Sequence, residues 1–181
     1  MPSGFLELAR WSNYYVIVGS SAGALTGLQF VVITLLAQVE AVGSGPELRA
    51  FGTPNVVHFC AALLISAMMS APWDAPFFLG TCLAALGAIG FAYSLVVCRH
   101  ASRATAYTPD VEDWIWYVAL PLLAYAALAA GGVFLPRNVT WPLVVVAAVT
   151  VLFLFIGIRN AWDTITYVVL TRRVKKREPA D

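Results

Sequence analysis

Charged residues are scarce in this chain. Asp, Glu, Lys and Arg make up 12% of the 181 residues, whereas apolar and aromatic residues make up 60%. A soluble domain has about 25% charged and about 45–50% apolar residues. Since a soluble chain of this size buries only about 70% of its unfolded surface, it could not hide so much apolar surface. The composition excludes a soluble enzyme, a nucleic-acid-binding domain and a disordered chain, and it indicates an integral membrane protein.

Groups that carry catalytic or metal chemistry are also few. The chain has two histidines and three cysteines, and each cysteine lies inside an apolar stretch (Cys60, Cys82 and Cys98). An odd number of cysteines suits neither a disulfide framework nor a metal quartet. The sequence contains no HExxH, CxxC, GxSxG or P-loop motif. The formal net charge of +1 predicts no nucleic-acid partner. The missing motifs predict that the protein is not an enzyme and has no cofactor and no metal site.

Long apolar stretches make up most of the sequence. A membrane-spanning helix needs about 20 predominantly apolar residues, and five stretches qualify: 14–37, 54–70, 77–98, 115–134 and 141–170. Thr53-Pro54 is a favourable helix start. The Thr53 hydroxyl can accept a hydrogen bond from a free backbone N–H of the first turn, and Pro54 has no backbone N–H that would need a partner there. The connections are too short for a separate soluble domain. We expect one membrane domain over residues 1–171 and a basic tail over 172–181.

The predicted fold class is an all-α membrane bundle of about five transmembrane helices, because helices satisfy their own backbone hydrogen bonds in lipid. The last helix would run from Trp141 to about Arg173 and measure about 50 Å, against a hydrocarbon core of about 30 Å. We therefore expect its end to project into the cytoplasm. The apolar side chains there would need cover, which a second subunit of a homo-oligomer would supply.

Basic residues predict the orientation. Eight lie in connections on one side of the membrane: Arg49, Arg99, Arg103, Arg172, Arg173, Lys175, Lys176 and Arg177. On the other side lie only Arg10 and Arg137. Because cytoplasmic connections carry the excess of Lys and Arg, the C-terminus is predicted to be cytoplasmic in a multi-pass protein of the cell (inner) membrane. The tail would anchor this topology or attract anionic lipid.

Small residues form a ridge on the first apolar stretch. Gly19, Gly23 and Gly27 recur at four-residue intervals, which is a doubled GxxxG pattern. Such residues let membrane helices pack closely, either within one chain or between subunits. Two further stretches show a weaker form of this pattern, with Gly80, Ala84 and Ala88 in one and Ala126 and Ala130 in the other.

Polar residues within the apolar stretches are the candidate functional sites. Arg159 and Asp163 are four residues apart, so they can pair on one helix face beside Asn160. Arg159 lies about 27 Å along the helix from Trp141, near the cytoplasmic boundary. The pair is either a structural device at the interface or the mouth of a pathway. The acidic run around Glu112 is expected to be a solvated loop.

His58 and Gln29 complete the candidate polar cluster. A helix starting at Thr53-Pro54 would put His58 one turn inside, at the depth of Arg159 and Asp163, where the three would form a titratable group. The alternative is that His58 is a hydrogen-bonding residue at the interface. Gln29 lies nearest the bilayer centre and is expected to bond across helices.

Three functions fit this sequence. The first is a subunit of a homo-oligomeric channel or pore, which suits the glycine ridge, the overlong helix and the missing catalytic residues. The second is a small secondary transporter that uses His58, Arg159 and Asp163, although the chain has no internal repeat and no carboxylate at mid-membrane depth. The third is an accessory or scaffold subunit that binds another membrane protein.

The topology can be tested by labelling. Single cysteines introduced at Asn138 and Ala180 should react from opposite sides of the membrane in intact cells, with Ala180→Cys on the cytoplasmic side. An odd number of spans between the two positions requires this result. Labelling of both cysteines from one side would show that the number of spans is wrong.

Overall fold

A computed structural model describes residues 8–37, 46–101 and 111–175. Helix α1 is Ser12–Ala37, α2 is Pro46–Ser70, α3 is Pro76–Ala101 and α5 is Thr140–Lys175. Between them, α4 consists of a one-turn α-helix Val111–Trp114, a π-helix Ile115–Ala119 and an α-helix Leu120–Phe134. The described residues contain no strand, so the expected all-helical fold class is confirmed.

Within the described residues, four helices are long and apolar enough to cross a membrane. The spans are Ser12–Thr34 in α1, Pro76–Arg99 in α3, Ile115–Phe134 in α4 and Thr140–Thr166 in α5. In α2 the apolar part, Asn55–Ser70, is shorter. The chain is therefore compatible with a multi-pass membrane protein. The predicted overlength of the last helix is also present, because α5 has 36 residues and measures about 54 Å.

Helix α2 begins earlier than its sequence signal suggests. It starts at Pro46, whereas Thr53-Pro54 was the expected start. Proline is favoured in the first turn, and Pro46 takes that position. Pro54 lies inside the helix, where it removes one backbone hydrogen bond, a loss that membrane helices tolerate when neighbouring groups compensate. His58 consequently stands at the middle of α2 and not one turn from its start.

The most extensive helix contacts follow the order α1, α2, α5, α4, α3, which we call the row. The row is bent, because Tyr125 of α4 also meets His58 of α2. Each is antiparallel to its neighbours in the row. We call one end of the row the turn end, where residues 71–75 join α2 to α3 and residues 135–139 join α4 to α5. At the opposite end, Arg159 of α5 contacts Glu112 of α4, and we call it the ion-pair end.

The core follows from this order. The inner face of α5 supplies Leu143, Val146, Phe153 and Ile156, which are fully buried against α2 and α4. The outer faces of α1 and α3 expose large apolar side chains, among them Ile17, Phe30, Phe77 and Ile89. Such faces suit contact with lipid tails. Because lipid is as apolar as leucine, close packing must hold the helices together instead of the hydrophobic effect.

The glycine ridge of α1 makes one close contact within the chain. A Cβ atom added at Gly19 would lie 2.8 Å from Ser66 Cβ on α2, so the two helices touch there. At Gly23 the nearest atom is 3.9 Å away, and Gly27 is exposed with nothing within 4 Å. Internal packing therefore accounts for the turn-end part of the ridge. The other part faces outward.

A closer glycine seam joins α3 to α4. Added Cβ atoms at Gly80 and Gly87 would collide with the α4 backbone at Gly132 and Ala129. Gly80 and Ala84 of the predicted small-residue face do contact Gly132 of α4. The prediction is wrong for Ala88, Ala126 and Ala130, which are exposed. At 3.6 residues per turn, a seven-residue spacing stays within about 20° of one face, whereas an eight-residue spacing drifts by about 80°. The seam follows the seven-residue spacing.

Substitution in the glycine ridge tests this packing. Gly19→Leu should destabilise the detergent-solubilised monomer by about 1–3 kcal/mol, because the larger side chain collides with Ser66. The matched control Gly27→Leu should change stability by less than about 0.5 kcal/mol, since its site is open. Thermal unfolding and native mass spectrometry measure both variants. Dissociation of an oligomer by Gly27→Leu would instead assign the outward part of the ridge to a subunit interface.

Candidate functional site

Polar side chains are buried inside the row of helices. Those with less than a tenth of their surface exposed are Gln29, Asn55, His58, Ser66, Ser94, Thr150 and Asn160. Polar groups at membrane depth are costly unless they are paired or hydrated, and for this reason they mark candidate functional sites. Most of these residues belong to α2 and α5, the two helices at the middle of the row. They form layers along the bundle.

His58 and Tyr125 form the central layer. The Tyr125 hydroxyl lies 3.4 Å from His58 Nδ1, at the long end of the hydrogen-bond range. The His58 ring stacks on the Phe153 ring with centroids 5.8 Å apart, and the centroid of the Tyr125 ring lies 4.5 Å from that of Phe153. Gly90 of α3 packs against the Tyr125 ring, where any side chain would collide. The imidazole is thus fixed where α2, α4 and α5 meet.

Asn55 and Asn160 form a second layer toward the ion-pair end. Phe59 of α2 packs on Gly157 of α5, since an added Cβ there would lie 2.5 Å from the Phe59 ring. Asn55 is one turn before Phe59 and Asn160 about one turn after Gly157. Because α2 and α5 are antiparallel, the two asparagines lie at the same level on facing helices.

The side-chain amides of both asparagines lack hydrogen-bond partners among the described residues. Both residues are fully buried, and the amide nitrogen and oxygen of each have no hydrogen-bond partner within the described ranges. Tyr117 of α4 reaches this layer and donates to the main-chain oxygen of Asn160 at 3.4 Å. Two amides supply both donors and acceptors, which is what a buried water or another small polar species needs.

A third layer lies toward the turn end. Ser66 of α2 and Tyr15 of α1 are buried, and no described residue bonds to either hydroxyl. The Thr150 hydroxyl donates to Val146 O at 2.6 Å within α5. Tyr14 donates to Ala147 O of α5, also at 2.6 Å, and so bridges α1 and α5. Buried polar groups therefore extend from the asparagine layer to the turn end.

The ion-pair end carries a cluster of three charges. Arg159 contacts Asp163 on its own helix, as the four-residue spacing predicts. Arg159 Nη2 lies 2.6 Å from Glu112 Oε1 of α4. Glu112 was expected to be a solvated loop residue and is instead part of this cluster, because α4 begins at Val111. The side chains of Arg159 and Asp163 are 29% and 34% exposed, so the cluster is at the surface.

The predicted polar cluster is thus divided. His58 does not meet Arg159, because its partner Phe153 is six residues from Arg159, or about 9 Å along α5. Equal depth in the membrane stays a prediction, although α2 begins at Pro46 and not at Thr53-Pro54. Asn160 is buried in the asparagine layer. Gln29 lies apart, lining a cavity of about 190 Å³ between α1 and α5. The basic side chains of the predicted tail lie outside the described residues.

Several site residues escaped the sequence analysis because it weighted charge over uncharged polarity. These are Asn55, Ser66, Tyr117, Tyr125 and Thr150. A signal was available in α2, where Asn55 and Ser66 are eleven residues apart and so lie within about 20° of one helix face, with His58 about 60° to one side. No comparable spacing links α4 to α2. Only the packing of the helices brings Tyr125 of α4 to His58 of α2.

Exposure of the ion pair predicts a small effect on stability. Asp163→Asn should lower the free energy of unfolding by less than about 1 kcal/mol, because the pair is partly solvated and Arg159 keeps its contact with Glu112. Denaturant titration in detergent measures the change. A loss of about 3–5 kcal/mol would show that the pair is buried in the assembled protein.

Comparison with known proteins identifies no relative. The chain matches no family model, no curated protein and no solved structure. Its function is therefore inferred from the contacts of its own residues.

Proposed function

We propose that this protein conducts protons across the membrane through the interior of each protomer, from the contact of α1 with α2 at the turn end to the junction of α2, α4 and α5 toward the ion-pair end. The observation that supports this best is the series of buried polar side chains without partners, at Tyr15, Ser66, Asn55 and Asn160. With His58 between Ser66 and Asn55, they extend from the turn end to the ion-pair end. Hydroxyl, imidazole and amide groups bridged by water can relay a proton along such a path.

The narrowness of the path favours a proton over a hydrated ion or a larger solute. His58 is 3% exposed and Asn55 and Asn160 are fully buried, with aromatic rings of Phe153 and Tyr125 against the imidazole. Histidine is the side chain whose charge ordinarily changes near neutral pH. In this path His58 takes up and releases the proton, and Tyr125 holds the ring in position.

A pore along the axis of an oligomer, the first function considered from the sequence, has less support. Such a pore needs a polar outward face. Among the described residues, the outward faces are largely apolar, and the exposed hydroxyls of Ser21, Thr34 and Thr81 donate to carbonyls of their own helices. Homo-oligomers remain part of the proposal, because the overlong α5 needs cover beyond the membrane. Each protomer then has its own path.

The placement in the membrane completes the proposal. We propose five spans, with α2 as the fifth, and a cytoplasmic C-terminus in the cell (inner) membrane. The support is the distribution of basic residues along the sequence. With this orientation the ion-pair end faces the cytoplasm, and the basic tail lies beside anionic lipid.

Proton flux into liposomes tests the function. Purified protein in vesicles with an internal pH dye and an imposed potential should acidify the lumen faster than empty vesicles. His58→Phe should reduce this flux to background, because it replaces the titratable ring with an apolar one. Tyr125→Phe removes one hydroxyl beside the imidazole and should reduce the flux partially.

Thr81→Val is the matched control. It also removes one hydroxyl, but from the outer face of α3, where Thr81 donates to Phe77 O. Its flux should equal that of the unmodified protein. Vesicles with folded, unmodified protein that acidify no faster than empty vesicles would contradict proton conduction and favour the accessory or scaffold function.

A further inference from the structure

We propose that the ion pair between Arg159 and Glu112 is a gate that closes the asparagine layer from the aqueous phase at the ion-pair end. The gate opens when Glu112 separates from Arg159, and the π-helix Ile115–Ala119 is its hinge. The identity of the species that passes the gate rests on the proposed function. The opening of the gate can be measured without assuming that function.

The geometry of the charges fits a gate. Arg159 contacts one carboxylate on its own helix, Asp163, and one on α4, Glu112. Asp163 can therefore hold the guanidinium in place while the contact to α4 breaks. Glu112 is the more solvated partner, with 60% of its side chain exposed. A partly exposed ion pair is weak, so opening is inexpensive in free energy.

The gate lies directly over the asparagine layer. Arg159 is next to Asn160 in α5, and its contact with Asp163 directs the guanidinium toward the ion-pair end, past Asn160. Tyr117 of α4 donates to the Asn160 main-chain oxygen. Two contacts between α4 and α5 thus cover the layer in succession, an ion pair and then a tyrosine. Beneath them the side-chain atoms of Asn55 and Asn160 have less than 1 Å² exposed and no partner in the part of the chain described. The structure represents the closed state.

The π-helix supplies a means of opening. Leu120 N–H bonds to Ile115 O, five residues back, so this turn of α4 holds one more residue than an α-helical turn. Such turns are frequent at functional sites. Conversion to α-helix would rotate the segment before it by about 100° relative to Leu120–Phe134. Glu112 and Tyr117 would both move away from α5.

Thiol accessibility tests the gate in the full chain. With Cys60, Cys82 and Cys98 replaced by alanine, Asn160→Cys reports on the layer in proteoliposomes treated with a small methanethiosulfonate reagent. Glu112→Gln should raise the labelling rate about fivefold or more, which corresponds to a loss of about 1 kcal/mol from the closed state. Asn55→Cys is a second reporter from the facing helix, in case Asn160→Cys fails to fold.

Two controls separate the gate from general loosening. Asp163→Asn removes a carboxylate from the same arginine but leaves the contact to α4, so it should raise labelling much less than Glu112→Gln. Combining Glu112→Arg with Arg159→Glu restores an opposite-charge pair and should return labelling toward the rate of the unmodified gate.

The outcomes also separate the gate from proton conduction. Unchanged labelling of both reporters in folded Glu112→Gln protein overturns the gate, whether or not protons flow. Increased labelling in a protein that conducts no protons supports the gate and contradicts the proposed function. Equal labelling in Glu112→Gln and Asp163→Asn overturns the assignment of the gate to the contact between α4 and α5.

Discussion

The absence of water in a membrane interior is the constraint on which this structure depends. A buried polar group there must find a partner within the protein or bring water with it. Most side-chain hydroxyls on the outer faces meet this requirement locally, as when Thr81 donates to Phe77 O in its own helix. Asn55 and Asn160 do not meet it within the described residues. This contrast distinguishes the interior layers from ordinary packing.

The position of α5 connects packing to the polar layers. As the central helix of the row, it contacts α2 on one side and α4 on the other. Its polar residues Thr150 and Asn160 are therefore buried, whereas the hydroxyls of Ser21 on α1 and Thr81 on α3 are exposed. The outward side of α5 carries apolar residues instead, among them Val144, Phe155 and Trp162.

Glycine determines how closely the row can pack, and so which side chains meet. The seam between α3 and α4 brings Gly90 against the Tyr125 ring, which contacts Phe153 of α5. A bulkier residue at Gly90 would displace the tyrosine that lies beside His58. A glycine on α3 therefore positions a tyrosine of α4 that lies beside His58 of α2.

The sequence by itself determined the fold class, the overlength of α5 and the pairing of Arg159 with Asp163, because these follow from local quantities: apolar content, helix length and a four-residue spacing. Tertiary structure alone decided the rest. The start of α2 depends on how neighbouring groups tolerate Pro54, and the contacts of His58 with Tyr125 and of Glu112 with Arg159 join residues 67 and 47 positions apart. No local pattern encodes such contacts, because they arise only when antiparallel helices pack in one particular register.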